Sequence, residues 1–154
     1  MNIRRAVWED YAACARLEKE IFTLHHDHRP DLLRDTEVPL TQERFRELLG
    51  DAVVFLVAEE EGRVIAHAFA SRRGYKDHPG YRDREWFEID DIVVDAEHRG
   101  KGVGSALFEA MQAEARALGF DHIELTVWGF NTQARDFYVK RGMRSRIDRL
   151  EMDL

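Results

Sequence analysis

The stretch Arg99-Gly100-Lys101-Gly102-Val103-Gly104-Ser105 places three glycines and two cations within seven residues, shortly after the apolar run Ile92-Val93-Val94. Such a segment can hold phosphate. Backbone N–H groups at a helix start lack intrahelical partners and point outward. Glycine reaches dihedrals that other residues avoid and, having no Cβ, lets an anion approach the main chain. Arg99 and Lys101 add positive charge for a negative ligand. Two common phosphate loops do not fit. GxxxxGK needs Ser or Thr next, and the one Gly-Lys pair is followed by Gly102. GxGxxG begun at Gly100 and Gly102 needs a glycine at position 105, where Ser105 stands. What remains is Arg-x-x-Gly-x-Gly, Arg99 to Gly104. A glycine turn that merely joins a strand to a helix is the other reading.

Two further clusters carry titratable groups. Strand-like Phe87-Glu88-Ile89-Asp90-Asp91-Ile92 offers three carboxylates ahead of the loop. By plain alternation Glu88, Asp90, Ile92 and Val94 share one face, and Ile89, Asp91 and Val93 the other. His25, His26 and His28, with Asp27 or Asp31, have the chemistry of zinc ligands, but no second ligand group follows at a fixed spacing, so no metal is expected.

These groups must be positioned by an alternating chain. Asn2 to Val7 reads as a strand. A helix from Asp10 carries Ala13, Leu17, Ile21 and Leu24 at helical spacing, and the proline-containing stretch from His25 to Pro39 breaks it. Thr41 caps a short helix ended by Gly50. Ala52 to Glu60 and Val64 to Arg73 are strands of a hairpin, and Trp86 to Asp95 is a third long strand. Gly102 to Leu118 is a helix with Gly119 as its C′ residue. Asp121 to Trp128 reads as a strand, Asn131 to Arg141 as a helix, and Ser145 to Leu154 alternates as a closing strand. The order β, α, α, β, β, β, α, β, α, β implies a mixed sheet with helices on both faces, an α/β (α+β mixed) class.

The 154 residues suit one domain, residues 1–154. At 44% apolar they afford a core, and the longest apolar run falls far short of the roughly 20 residues a membrane span needs. A net charge of −7 argues against a general nucleic-acid binder. One cysteine, Cys14, and an N-terminus without a signal-peptide pattern lead to a cytoplasmic expectation.

The segment from Asp90 to Met111, with Leu125 to Met143, closely resembles the GNAT superfamily of acyl-CoA N-acyltransferases. The first part carries the Arg99-x-x-Gly102-x-Gly104 loop. The second resembles the family's Asn-x-x-Ala-x-x-Phe-Tyr-x-x-x-Gly motif at Asn131, Ala134, Phe137, Tyr138 and Gly142. The resemblance implies a mostly antiparallel sheet of six to seven strands and a loop, Arg99 to Ser105, wrapped around the pyrophosphate of coenzyme A. It implies that Ile92, Val93 and Val94 pair with the pantetheine arm, as a peptide adds to a sheet edge. It further implies acetyl transfer from acetyl-CoA to an amine, with Tyr138 as general acid toward the thiolate, Asp90 as base or amine-binding group, and Asn131 on the pantetheine arm. Glu88, on the Asp90 face by alternation, is a second candidate base. Arg141 meets a nucleotide phosphate or simply suits a helix end. The segment after the first helix would wall the acceptor site, and its Asp27, Asp31, Asp35 and Glu37 favour a small cationic amine; a solvated loop explains those charges equally well. Trp128 lines that cavity or belongs to the core. A protein N-terminus or lysine as acceptor, or a non-catalytic acyl-CoA sensor, are the alternatives. Relatives often pair through C-terminal strands, so Arg149 to Leu154 could serve a homodimer.

Overall fold

The computed structural model describes residues 1–154. Its elements are β1 (Asn2–Arg5), α1 (Tyr11–His28), α2 (Gln42–Asp51), β2 (Val54–Glu60), β3 (Arg63–Tyr75), β4 (Arg84–Val94), α3 (Val103–Ala117), β5 (Ile123–Leu125) and α4 (Thr132–Val139). The strands form one sheet in chain order. The first four are antiparallel, and β5 runs parallel to β4 through the α3 crossover. No helix is long and apolar enough to cross a membrane.

Each face of the sheet has its own core. Ile65, Phe87, Ile89, Leu107, Phe108 and Met111 meet beneath α3, and Cys14, Leu17, Phe45, Phe55, Val57 and Val93 meet beneath α1 and α2. Residues Val54 to Ala58 of β2 are buried without a break, because both of its faces are covered. Each such Val, Leu or Phe contributes about 1.5–3 kcal/mol of transfer free energy.

Local signals placed most boundaries. Thr41 Oγ1 accepts from Arg44 N–H at 3.1 Å and starts α2, which runs one residue past Gly50. Gly119, at φ +82°, closes α3 with its N–H on Arg116 C=O.

Four expectations need correction. First, α1 runs through His28 instead of stopping near Leu24. Its stop is Pro30, which pushes Arg29 out of the helical region. Second, β5 is only three residues long, because β4 and β5 part after the Ile89–Leu125 pair. Third, the sheet has five strands, not six to seven. Residues 144–154 form no strand, and Ile147 and Leu150 stand 74% and 91% exposed. Alternation makes a strand only where a neighbour completes the ladder, and this segment forms a ladder with none of the five strands. Fourth, plain alternation fails in β4. Phe69 pairs with Asp91 while Ala70 pairs with Ile89, so Asp90 is the extra residue of a β-bulge. Beyond it Ile92 and Val94 pack on the α3 side with Phe87 and Ile89, while Val93 packs under α1.

Candidate active site

The parting of β4 from β5 opens a cleft of about 260 Å³, lined among others by Asp90, Asp91, Ile92, Asn131 and Tyr138. Its floor is the outer edge of β4 beyond Ile89, which has no strand beside it.

At the end of β4 the chain turns through Asp95, whose carboxylate accepts from Glu97 N–H and pairs with Arg16 at 2.8 Å and Arg63 at 3.3 Å. Burial alone would raise that carboxyl. Hydrogen bonds from His98, the Glu97 amide and Arg16 hold it below the usual range. This charged knot anchors the glycine loop. Arg99 Nε donates to Val94 C=O at 3.0 Å. Gly100 and Gly102 follow at φ +73° and +88°, and this left-handed backbone favours glycine. The first bond of α3 runs from Ala106 N–H to Gly102 C=O, so the amides of Val103, Gly104 and Ser105 precede the helical ladder. Gly104 has an ordinary φ, and a Cβ there would lie 3.6 Å from Val94 and 3.8 Å from Phe137. Bare amides, two left-handed glycines and the exposed Arg99 and Lys101 fit a diphosphate.

The other wall is α4. Asn131 caps it, its Oδ1 accepting from Ala134 N–H at 3.0 Å. Tyr138, two turns on, packs against Phe108 and Phe137 and lines the cleft. Burial, with the negative charge of Asp91, pushes its phenol up to about 12, against the opposing pull of Arg141. It therefore keeps its proton at neutral pH. The Arg141 guanidinium donates to Ser105 Oγ and to Phe137 C=O, and lies 3.5 Å over the Phe137 ring. Arg141 is thus bound to the first turn of α3.

The carboxylates separate. Asp90 lines the cleft, but its oxygens are engaged by Ser71 Oγ and, at 3.6 Å, by Arg73. Glu88 accepts from the Trp86 indole at 2.7 Å and does not line the cleft. The bulge instead turns Asp91 toward α1, where it meets Glu18. Burial raises both carboxyls; the neighbouring Asp91 raises Glu18 further, while Glu18 in turn draws Asp91 down. Sequence reading missed Glu18. The available signal was a carboxylate on the buried stripe of α1, four residues after Cys14 and three before Ile21.

The third wall comes from α1 itself. His25 lies 5.8 Å from the rings of both Trp128 and Phe130, and His28 stacks on Phe130 at 4.3 Å. Burial, then the neighbouring His28, lowers the His25 pKa. The histidines thus pack on aromatic rings, and Trp128 lines the cleft. Of the four acids expected to attract a cation, Asp31 binds Arg29, Asp35 and Glu37 face Lys19, and Asp27 lies 3.8 Å from the His26 ring.

Comparison with known proteins agrees with this geometry. The profile described as the acetyltransferase (GNAT) family matches residues 10–143. A crystal structure of a mutant BH1408 protein from Bacillus halodurans is 33% identical, with 100% of this chain and 99% of that chain covered and a TM-score of 0.96. The aminoglycoside antibiotic 6'-N-acetyltransferase of Acinetobacter haemolyticus shares the fold at 20% identity, with 100% and 98% of the chains covered and a TM-score of 0.73. Glucosamine-6-phosphate N-acetyltransferase of Arabidopsis thaliana does so at 22% identity, with 99% and 97% covered and a TM-score of 0.66. A search of the curated proteins finds no match.

Proposed function

The chain belongs to the acetyltransferase (GNAT) family, and on that premise we propose that it moves the acetyl group of acetyl-CoA directly to a primary amine within a ternary complex, the acceptor being a small cationic amine. The observation that carries this reading is the cleft between β4 and β5, which has the Tyr138 side chain on its wall and whose β4 edge runs on toward the glycine loop. The loop from Arg99 to Ser105 would hold the diphosphate. Ile92, Val93 and Val94 would offer main-chain groups to the pantetheine arm, and the Asn131 amide would meet it from α4. Bound acetyl-CoA supplies the acetyl group already activated as a thioester.

The remaining work falls to the protein. The amine must attack in its neutral form, and a carboxylate of β4 at the cleft takes up the proton its nitrogen sheds as the amide forms. Tyr138, neutral and half-buried, gives a proton to the departing sulfur. Arg141 keeps Ser105 and the start of α3 in place beside the diphosphate. A small acceptor is favoured because the α1 terminus, Trp128 and Phe130 close one side of the cleft. The acidic lining, Asp90 and Asp91, suits a cation. The exposed apolar residues Ile147, Leu150, Met152 and Leu154 support pairing of two copies through the C-terminal segment, which light scattering measures.

The test is a panel of amines and peptides assayed for acetyl-CoA-dependent release of free thiol, with mass detection of the product. A cationic small amine gaining one acetyl group is the expected result. Turnover of peptides alone would transfer the reading to protein acetylation, and coenzyme binding without any turnover would make the chain a sensor.

A further inference from the structure

We infer that Glu18 and Asp91 act together as the proton store of the transfer, Asp91 taking the proton of the attacking nitrogen and the pair returning one to Tyr138. This rests on the acetyl-transfer reading above. Three observations on geometry carry it. The bulge at Asp90 puts Asp91 opposite Phe69 and turns it toward α1, while Asp91 still lines the cleft that Tyr138 lines. Glu18, only 15% exposed, stands beside Asp91 from the facing helix α1. The fully buried His67 sets its Nε2 3.3 Å from Glu18 Oε1, and neither of its ring nitrogens has a hydrogen-bond partner.

The surrounding charges explain why this pair holds a proton. No lysine or arginine bonds to either carboxyl. Arg73 is taken by Asp90, and Arg141 by Ser105 and Phe137. His67 on β3 is kept neutral by burial. Asp90 adds a further negative charge beside Asp91. Two half-buried carboxylates side by side without a cation do not both ionise readily near neutral pH, so they share one proton between them. A purely structural pair would gain nothing from placing Asp91 on the cleft wall, whereas a pair that changes protonation near neutral pH suits a proton acceptor.

The protons balance. The amine enters neutral, any extra proton having left to water. Its nitrogen forms the bond to the acetyl carbon, the carbon–sulfur bond breaks, and the bonding electrons leave on sulfur. The nitrogen's proton goes to Asp91, leaving the pair with two. Tyr138 protonates the sulfur and recovers its proton from the pair, directly or across a water. The amine hydrogen thus ends on the thiol, and the pair returns to one shared proton.

The experiment compares the native protein with Glu18→Gln and Asp91→Asn, using the best amine of the panel. It records coenzyme A affinity, melting temperature, the pH profile of kcat/KM for the amine, and the infrared carbonyl band of a protonated carboxyl at neutral pH. Expected are an acid band in the native protein that both variants lose, and coenzyme A affinity within twofold. Asp91→Asn should lower kcat by about 100-fold or more. Glu18→Gln should shift the rising limb of the pH profile by about one unit or more, because Asp91 loses the carboxyl with which it shares a proton. Native activity with no acid band, or folded variants with unchanged kcat and profile, overturns the pair's role alone. If a variant fails to fold, the native band and the other variant still decide. A native protein that shows the band but transfers no acetyl group overturns the acetyl-transfer reading, and the pair's role with it.

Discussion

Replacing Gly102 by alanine tests whether the backbone of the glycine loop is what grips the coenzyme. Gly102 sits at φ +88°, and an added Cβ would meet nothing within 4 Å. The cost is therefore conformational and not steric. Holding a non-glycine residue in left-handed backbone costs about 1–2 kcal/mol. If the loop keeps its shape, that cost falls on folding, and for a domain near 150 residues the melting temperature drops by about 2–8 °C. If the loop relaxes, stability recovers, but the amides of Val103 and Gly104 swing away from the diphosphate. Coenzyme A then binds about 5–30-fold more weakly, since 1.4 kcal/mol is tenfold. Gly104→Ala is the internal control. Its φ is not positive, and its Cβ makes ordinary contacts at 3.6 and 3.8 Å with Val94 and Phe137. Alanine there gains up to about 1 kcal/mol of helix propensity and leaves binding nearly unchanged. Calorimetric titration with coenzyme A and differential scanning calorimetry measure both effects. A Gly102→Ala protein unchanged in both, or a Gly104→Ala protein equally impaired, would refute the reasoning.

Three more outcomes are expected. Tyr138→Phe should lower kcat by about 100-fold or more while coenzyme A affinity stays within twofold, measured by thiol release and calorimetry; full turnover would remove the phenol from the reaction. Asp10→Asn should cost about 2 kcal/mol, read from urea unfolding, because Asp10 accepts from Arg4 at 2.7 and 2.9 Å and from Val7 N–H at 2.9 Å. Although burial pushes Asp10 up, those bonds hold it below the usual carboxylate range. Its contribution is thus present above pH about 4 and lost as pH falls through the lowered folded value, so the native protein and the variant should converge in acid. His67→Leu should leave stability unchanged or raise it by up to about 1 kcal/mol, since two buried nitrogens without partners are replaced by apolar atoms; a clear loss in thermal unfolding would show that His67 has a bond partner in solution.

The split between what was legible and what was not follows the range of the forces. Sequence alone determined the features decided within a few residues: Thr41 capping α2, Gly119 closing α3, the β2–β3 hairpin, and the glycines that permit left-handed backbone before Val103. It also placed the Asn131 and Tyr138 motif on one helix, because seven residues make two turns. Tertiary structure alone decided the bulge at Asp90, since an extra residue shows only against the partner strand. That single residue reverses which side chains β4 presents beyond it, and brings Asp91 to Glu18 across 73 positions of chain. The parting of β5 and the strandless C-terminus belong to the same class. Caps and turns are satisfied by neighbours in sequence, whereas a ladder or a shared proton needs a partner that only the folded chain supplies.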